Sequence, residues 1–262
     1  MSVGSHRPVQ PRKGTDVSRP DASTTERGET NHRPAAPELP AALSVAAHDV
    51  AEALRVVTGY IELLEGHVEG KLDEAAQRYV GGVRNGIDHL DALLTGLLVY
   101  LRVNVEPPQP ERIELSDCLE DALRPLRAQL ESRGARVEFG DLPAVLADPG
   151  RVRDLLRALI DNALTFAPDD APPVIAVGAE REGDGWRIDV RDNGIGLPAD
   201  ACERVLQPFE RAHPRSKATG PGLGLAIARS ITERRGGRLW IEAVDDGGTL
   251  VHFTIPDEVP AT

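Results

Sequence analysis

Apolar residues Leu43, Ala47, Val50, Leu54, Val57, Ile61, Leu64 and Val68 follow one another at alternating steps of four and three. That spacing predicts a long helix over residues 39–66 with a bundle seam along one side. Gly66 is expected to end it, in a loop through Gly70 that leaves Val68 outside. A second helix is expected from near Asp73, because Val80, Val83, Ile87, Leu90, Leu94, Leu97 and Leu101 repeat the spacing. Pro107, Pro108 and Pro110 close it. Two striped helices and a short loop make a hairpin whose stripe is only half covered. Two hairpins bury it as a four-helix bundle, so a homodimer is expected. Gly59, Gly81, Gly82, Gly86 and Gly96 each lower helix propensity by about 1 kcal/mol against Ala, which makes the bundle marginal.

Beyond a Pro-rich linker at 105–111 the pattern changes. Ile113 and Leu115 predict a short strand, Asp117–Ser132 a helix, and Arg136–Phe139 and Ala144–Ala147 two more short strands. Asp148 caps a helix with Pro149 in its first turn, running from Gly150 to Phe166. Val174–Glu180, Trp186–Arg191, Arg238–Ala243 and Thr249–Ile255 read as strands of a mixed sheet. Helices near Ala199–Leu206 and Leu223–Arg235 are expected on one of its faces, giving a two-layer α/β sandwich. The organisation expected is a tail at 1–38, a hairpin at 39–104, the linker, an α/β domain at 112–256 and a tail at 257–262.

The chain has 262 residues, 40% hydrophobic and 27% charged, enough for about two globular domains. Residues 1–38 nearly lack large apolar side chains and are expected to stay disordered. A net charge of −12 argues against a nucleic-acid partner and against an anionic membrane surface. Two cysteines, Cys118 and Cys202, have neither metal spacing nor a disulfide framework, which fits a reducing cytoplasm. No apolar run reaches the ~20 residues of a membrane span, and the N-terminus has no apolar signal core, so a cytoplasmic protein without a membrane segment is expected.

The candidate chemistry lies between Ala158 and Arg229. Trp186, Ile188 and Val190 alternate with polar residues and lead into Asp192-Asn193-Gly194-Ile195-Gly196. A carboxylate at a strand end suits the exocyclic amine of a base such as adenine, and Gly194 and Gly196 let backbone approach a ligand. Gly220-Pro221-Gly222-Leu223-Gly224-Leu225 is a glycine-rich loop opening a helix, whose N-terminal amides attract phosphate. Asp161-Asn162 on the preceding helix offers oxygen ligands suited to Mg²⁺. These boxes, with Pro208-Phe209 between them, resemble the Bergerat-type (GHKL) ATPase domain of sensor histidine kinases, type II topoisomerases, mismatch-repair ATPases and a heat-shock chaperone family. The resemblance implies ATP as cofactor with Asn162 as Mg²⁺ ligand. It implies Asp192, Gly194, Gly196, Phe209, Gly220, Gly222, Leu223, Gly224 and Leu225 as nucleotide-site residues.

His48-Asp49-Val50-Ala51-Glu52-Ala53-Leu54-Arg55 on the first helix resembles the phosphoacceptor box of phytochrome-type histidine kinases. The resemblance continues through Gly70–Glu74 and Leu97–Val103. It implies that His48 takes the γ-phosphoryl group of ATP, with Asp49 orienting its ring, and passes it to an Asp of a response-regulator receiver domain. Glu52 stands where many relatives carry Thr or Asn to orient a dephosphorylating water. Ala53 replaces the usual Pro, Ala158 the usual first Asn of its box, and Thr165 the usual phosphate-facing Lys. Arg211, His213, Arg215 and Lys217, the last one of only three lysines, are candidates for the missing cation. A degenerate phosphotransfer scaffold with a poorly catalytic nucleotide domain is the alternative. A serine/threonine kinase of the anti-sigma type is a third reading, and it does not need the helical hairpin.

Overall fold

The computed structural model describes residues 39–68, 72–168, 170–212, 220–244 and 247–258. The expected tail at 1–38 and the residues His213, Arg215 and Lys217 lie outside them, as do the last four residues.

Helix α1 spans Leu39–Val68 and α2 spans Glu74–Val105. Asp73 caps α2, its carboxylate accepting from the Ala76 amide at 2.7 Å. The first helix does not stop at Gly66 but continues through Val68. A single glycine costs a helix only about 1 kcal/mol against Ala and does not by itself stop it. In the turns before Gly66, Arg84 of α2 pairs with Glu65 and, at 3.5 Å, with Glu62. The outward side of the hairpin keeps Val50, Val57, Leu64, Val83, Leu90 and Leu97 exposed.

The second half begins with strand β1 (Glu111–Glu114), and Leu115 already belongs to helix α3 (Leu115–Leu123). The single helix expected over 117–132 is interrupted. Pro125 lacks an amide to donate, so a tight turn over Arg124–Leu126 separates α3 from α4 (Arg127–Ser132). Strands β2 (Arg136–Phe139) and β3 (Ala144–Ala147) follow, then α5 (Pro149–Thr165), capped as expected by Asp148, which accepts from the Arg151 amide at 3.1 Å. Strands β4 (Val174–Glu182) and β5 (Gly185–Asp192) form a hairpin. The helix expected near 199–206 is two short 3₁₀ turns, Ala199–Ala201 and Arg204–Leu206, closed by three-residue bonds such as Ala201 amide to Pro198 carbonyl. Helix α6 (Gly224–Glu233) and strands β6 (Leu239–Ala243) and β7 (Thr249–Pro256) complete the fold.

The main sheet has the order β2-β4-β5-β7-β6, parallel only at β2-β4. Strands β1 and β3 make a separate antiparallel ribbon. Alternation sends Ile188 and Val190 of β5, and Val251 and Phe253 of β7, to the helix side, where they join Leu119, Ile160 and Leu164 in one core. The other face carries a polar cluster around Asp189. His252 is stacked on Trp240 at 4.8 Å, and its Nδ1 lies 2.6 Å from Asp189, which also accepts from Arg187.

Helix α2 is shared between the halves. Val103 is fully buried in the α/β core, with Val99 and Tyr100 packed against it. Arg102 pairs with Asp154 of α5, Arg151 donates to the Glu106 carbonyl, and the Gln109 amide donates to Asp148 at 2.9 Å. No described helix is long and apolar enough to cross a membrane.

Candidate nucleotide site

A cleft opens between α5, the segment after β5, and the start of α6. Its walls include Ala158, Asp161, Asn162 and Thr165 from one face of α5, Gly196 and Leu197, and Gly220, Pro221, Gly222, Gly224 and Leu225. Residues three and four apart on a helix share a face, which is why Ala158, Asp161, Asn162 and Thr165 line it together.

Asp192 ends β5 and is 9% exposed; it is not among the residues that line the cleft but is bonded to Thr249, which is. Its Oδ1 accepts from the amides of Gly194 at 2.8 Å and Thr249 at 3.1 Å. Burial pushes its carboxyl above the ordinary carboxylate value, while those hydrogen bonds act in the opposite sense. The carboxylate is therefore fixed in direction by two amides in a poorly solvated position.

The close approach of β7 to Asp192 depends on Gly248. It sits at φ +84°, and a Cβ there would lie 2.0 Å from the Asp192 carbonyl oxygen. Thr249 and Gly248 are site residues that the sequence reading missed. The pair Gly247-Gly248 before a strand signalled a turn, but nothing local said that the turn meets Asp192.

Phe209 and the glycine loop are stitched together. The Phe209 amide donates to the Gly222 carbonyl at 2.9 Å. Gly222 adopts φ +73°, and a Cβ on it would meet the Phe209 and Glu210 backbone at 3.1 Å. Phe209 itself is the one non-glycine residue with positive φ among the described residues, at 67°, a conformation that costs about 1–2 kcal/mol. Its ring is exposed and does not line the cleft, whereas Glu210, Arg211 and Ala212 after it do.

The structure thus gathers Asn162, Gly196, Gly220, Gly222, Gly224 and Leu225 at one cleft, while Asp192 and Gly194 are buried outside its lining. Leu223 faces the other way, 1% exposed against α2. Of the four cation candidates Arg211 lines the cleft, and the other three lie outside the described residues. His48, Asp49 and Glu52 lie on α1, with Asp49 and Glu52 exposed.

The cleft falls within residues 147–259, which match a family described as histidine kinase-, DNA gyrase B-, and HSP90-like ATPase. The chain is 34% identical over 212 residues to phytochrome-like protein Cph1 of Synechocystis, covering 81% of this chain and 28% of that protein. It is 32% identical over 250 residues to the methanogenesis regulatory histidine kinase FilI of Methanothrix harundinacea, covering 95% of this chain and 28% of the relative. The chain therefore spans little more than a quarter of the length of these curated relatives. Among solved structures, full-length ShkA in complex with AMPPNP is 26% identical with TM-score 0.63, over 85% of this chain and 47% of that one. Histidine kinase ThkA, solved with the response regulator protein TrrA, shares the fold at 21% identity and TM-score 0.58, over 84% of this chain and 63% of that one. The segment that carries the cleft matches that ATPase family, and the similarity to Cph1 and FilI takes in both halves of the chain, so the chain is similar over most of its length to proteins that include a histidine kinase.

Proposed function

We propose that the chain is an ATP-dependent protein-histidine kinase that phosphorylates His48 and hands the phosphoryl group to an aspartate of a response-regulator receiver domain. The observation that carries the reading is Asp192: a buried carboxylate, oriented through Oδ1 by two amides, one of them from Thr249 in the lining of a cleft that also includes the glycine loop at a helix start. In this reading Oδ2 accepts from the adenine amine, and the amides of Gly222 and Gly224, at the positive end of α6, take phosphate oxygens. Asn162 and the neighbouring Asp161 present hard oxygen donors to the cleft, the donor set that suits Mg²⁺, with Asn162 as the assigned ligand. A bound Mg²⁺ would supply neutralisation of phosphate charge. Arg211, which also lines the cleft, adds a cation that the α5 residues there lack.

His48 then acts as nucleophile. A ring nitrogen bonds to the γ-phosphorus while the bond to the β–γ bridging oxygen breaks and ADP leaves. Asp49, next in the chain, holds the ring and stabilises the imidazolium that forms. Glu52, one turn on, is the candidate for handling the water or acceptor that meets phosphohistidine. The apolar positions left exposed along α1 and α2 support a homodimeric four-helix bundle, and the α1 surface around His48 is where the receiver domain would dock.

The test is incubation with Mg²⁺ and γ-labelled ATP, followed by acid and base treatment. Acid-labile, base-stable label that disappears in His48→Gln while nucleotide binding persists is the expected result. Label retained in His48→Gln sinks the assignment. The scaffold reading draws support from Ala158 and Thr165, which leave the α5 wall of the cleft without a cation. It predicts no label on His48 while ATP is still bound.

A further inference from the structure

The glycines of α2 differ from one another. A Cβ at Gly81, Gly82 or Gly86 would have nothing within 4 Å. At Gly96 it would lie 3.0 Å from Leu223 Cδ1, 3.4 Å from Leu223 Cβ and 3.6 Å from Pro221 Cγ. Gly96 is thus a notch in the helix surface, filled by a side chain from the glycine loop.

Leu223 is the joint between two structures. Its side chain is 1% exposed and belongs to the core shared by α2 and the α/β half. Its carbonyl accepts the first hydrogen bond of α6, from the Ile227 amide at 2.9 Å. Its neighbours Gly222 and Gly224 line the cleft. A leucine so enclosed has no spare rotamer, because cores are packed to crystal density and extra methyl groups displace backbone rather than vanish into gaps. Whatever pushes on the Leu223 side chain from α2 therefore moves the loop main chain.

We propose that Gly96 is a positioning residue for the nucleotide site: its bare Cα lets α2 seat Leu223, and through Leu223 it fixes the Gly220–Gly224 arc against which phosphate is bound. The proposal rests on reading the cleft as a nucleotide site. It also makes α2 a mechanical link, since a shift of the hairpin at Gly96 is transmitted to the loop through Leu223 and the neighbouring Pro221.

Two readouts separate the proposal from the reading beneath it. Amide hydrogen exchange over residues 220–227 is measured on the whole chain without nucleotide, and the Kd of a fluorescent ATP analogue is measured with Mg²⁺. Gly96→Leu is expected to speed exchange in that segment by about tenfold and to weaken binding by about tenfold, with β5 and β7 unchanged. Gly96→Ala acts in the same direction more weakly and keeps the test open should the larger residue unfold the chain. Gly86→Ala changes neither readout. Leu223→Ala added to Gly96→Leu returns volume to the notch and restores part of the protection, a non-additivity that general loosening would not produce. Exchange and Kd within twofold of the unsubstituted protein in both Gly96 variants overturn the proposal. Absence of nucleotide binding by the unsubstituted protein overturns the cleft reading instead, while exchange still decides whether Gly96 seats the loop.

Discussion

The two halves of the chain close their apolar surface differently. In the α/β half, Leu119, Ile160, Ile175, Ile188 and Phe253 are at most 1% exposed and lie in one cluster. In the hairpin, α2 has only Ile87 and Val103 buried, and Val103 is buried against the α/β half rather than against α1. Both halves obey their own periodicity, yet only the sheet with its helices is a complete solvent-excluding unit. A two-helix layer has no second layer to cover its outer stripe. The hairpin thus carries two debts of exposure, one met by α6 and α5 and one left for a partner.

Four substitutions test this contrast. The largest expected effect is Phe253→Ala, which empties the centre of the closed core and should lower stability by about 3–5 kcal/mol in urea unfolding. An equally drastic change on the hairpin's outer stripe should leave that transition in place.

Asp192→Asn comes next. It removes a charged acceptor and should weaken ATP-analogue binding by about tenfold to a hundredfold, the worth of a hydrogen bond to a charged group. Stability should respond in the opposite sense. The folded protein holds the Asp192 proton to higher pH than the unfolded chain does. The buried carboxylate therefore costs stability as pH rises through that raised pKa, and the cost persists at neutral pH. An asparagine oxygen accepts the same two amides without the charge, so thermal unfolding at pH 7 should be no earlier in Asp192→Asn. A lower melting temperature at pH 7 would contradict this account.

Leu64→Glu places a charge on the exposed stripe, where Leu64 is 46% exposed. Sedimentation velocity should then show monomer where the unsubstituted chain sediments as a dimer, with nucleotide affinity unchanged. A stripe that serves no dimer would leave the sedimentation coefficient as it was. The smallest effect is Gly86→Ala, where the added methyl group meets nothing within 4 Å and should raise stability by about 1 kcal/mol through helix propensity.

Much of the architecture was legible because it is written in local spacing. The stripes of α1 and α2, the Asp73 and Asp148 caps, and the alternation of β5 and β7 are each decided by residues within a turn or two of one another. Errors fell where one residue tipped a local balance. Pro125 broke a helix that the apolar pattern continued, Gly66 did not end one because a lone glycine costs a helix only about 1 kcal/mol, and residues 199–206 close as two three-residue 3₁₀ turns instead of one helix.

The sequence by itself determined the sequence of elements, the hairpin's one-sided stripe, and the glycine, aspartate and asparagine boxes of the cleft. These follow from periodicity and from residue types whose backbone freedom or donor set is their own property. Only the tertiary structure decided that Gly248 and Thr249 would hold Asp192, that Phe209 would be tied to Gly222, and that His252 would lie between Asp189 and Trp240. It also distinguished Gly96 from the other glycines of its helix. The partners in each case are tens of residues or more apart, or meet only where the chain folds back, and contact at that range is set by how layers pack rather than by any pattern along the chain.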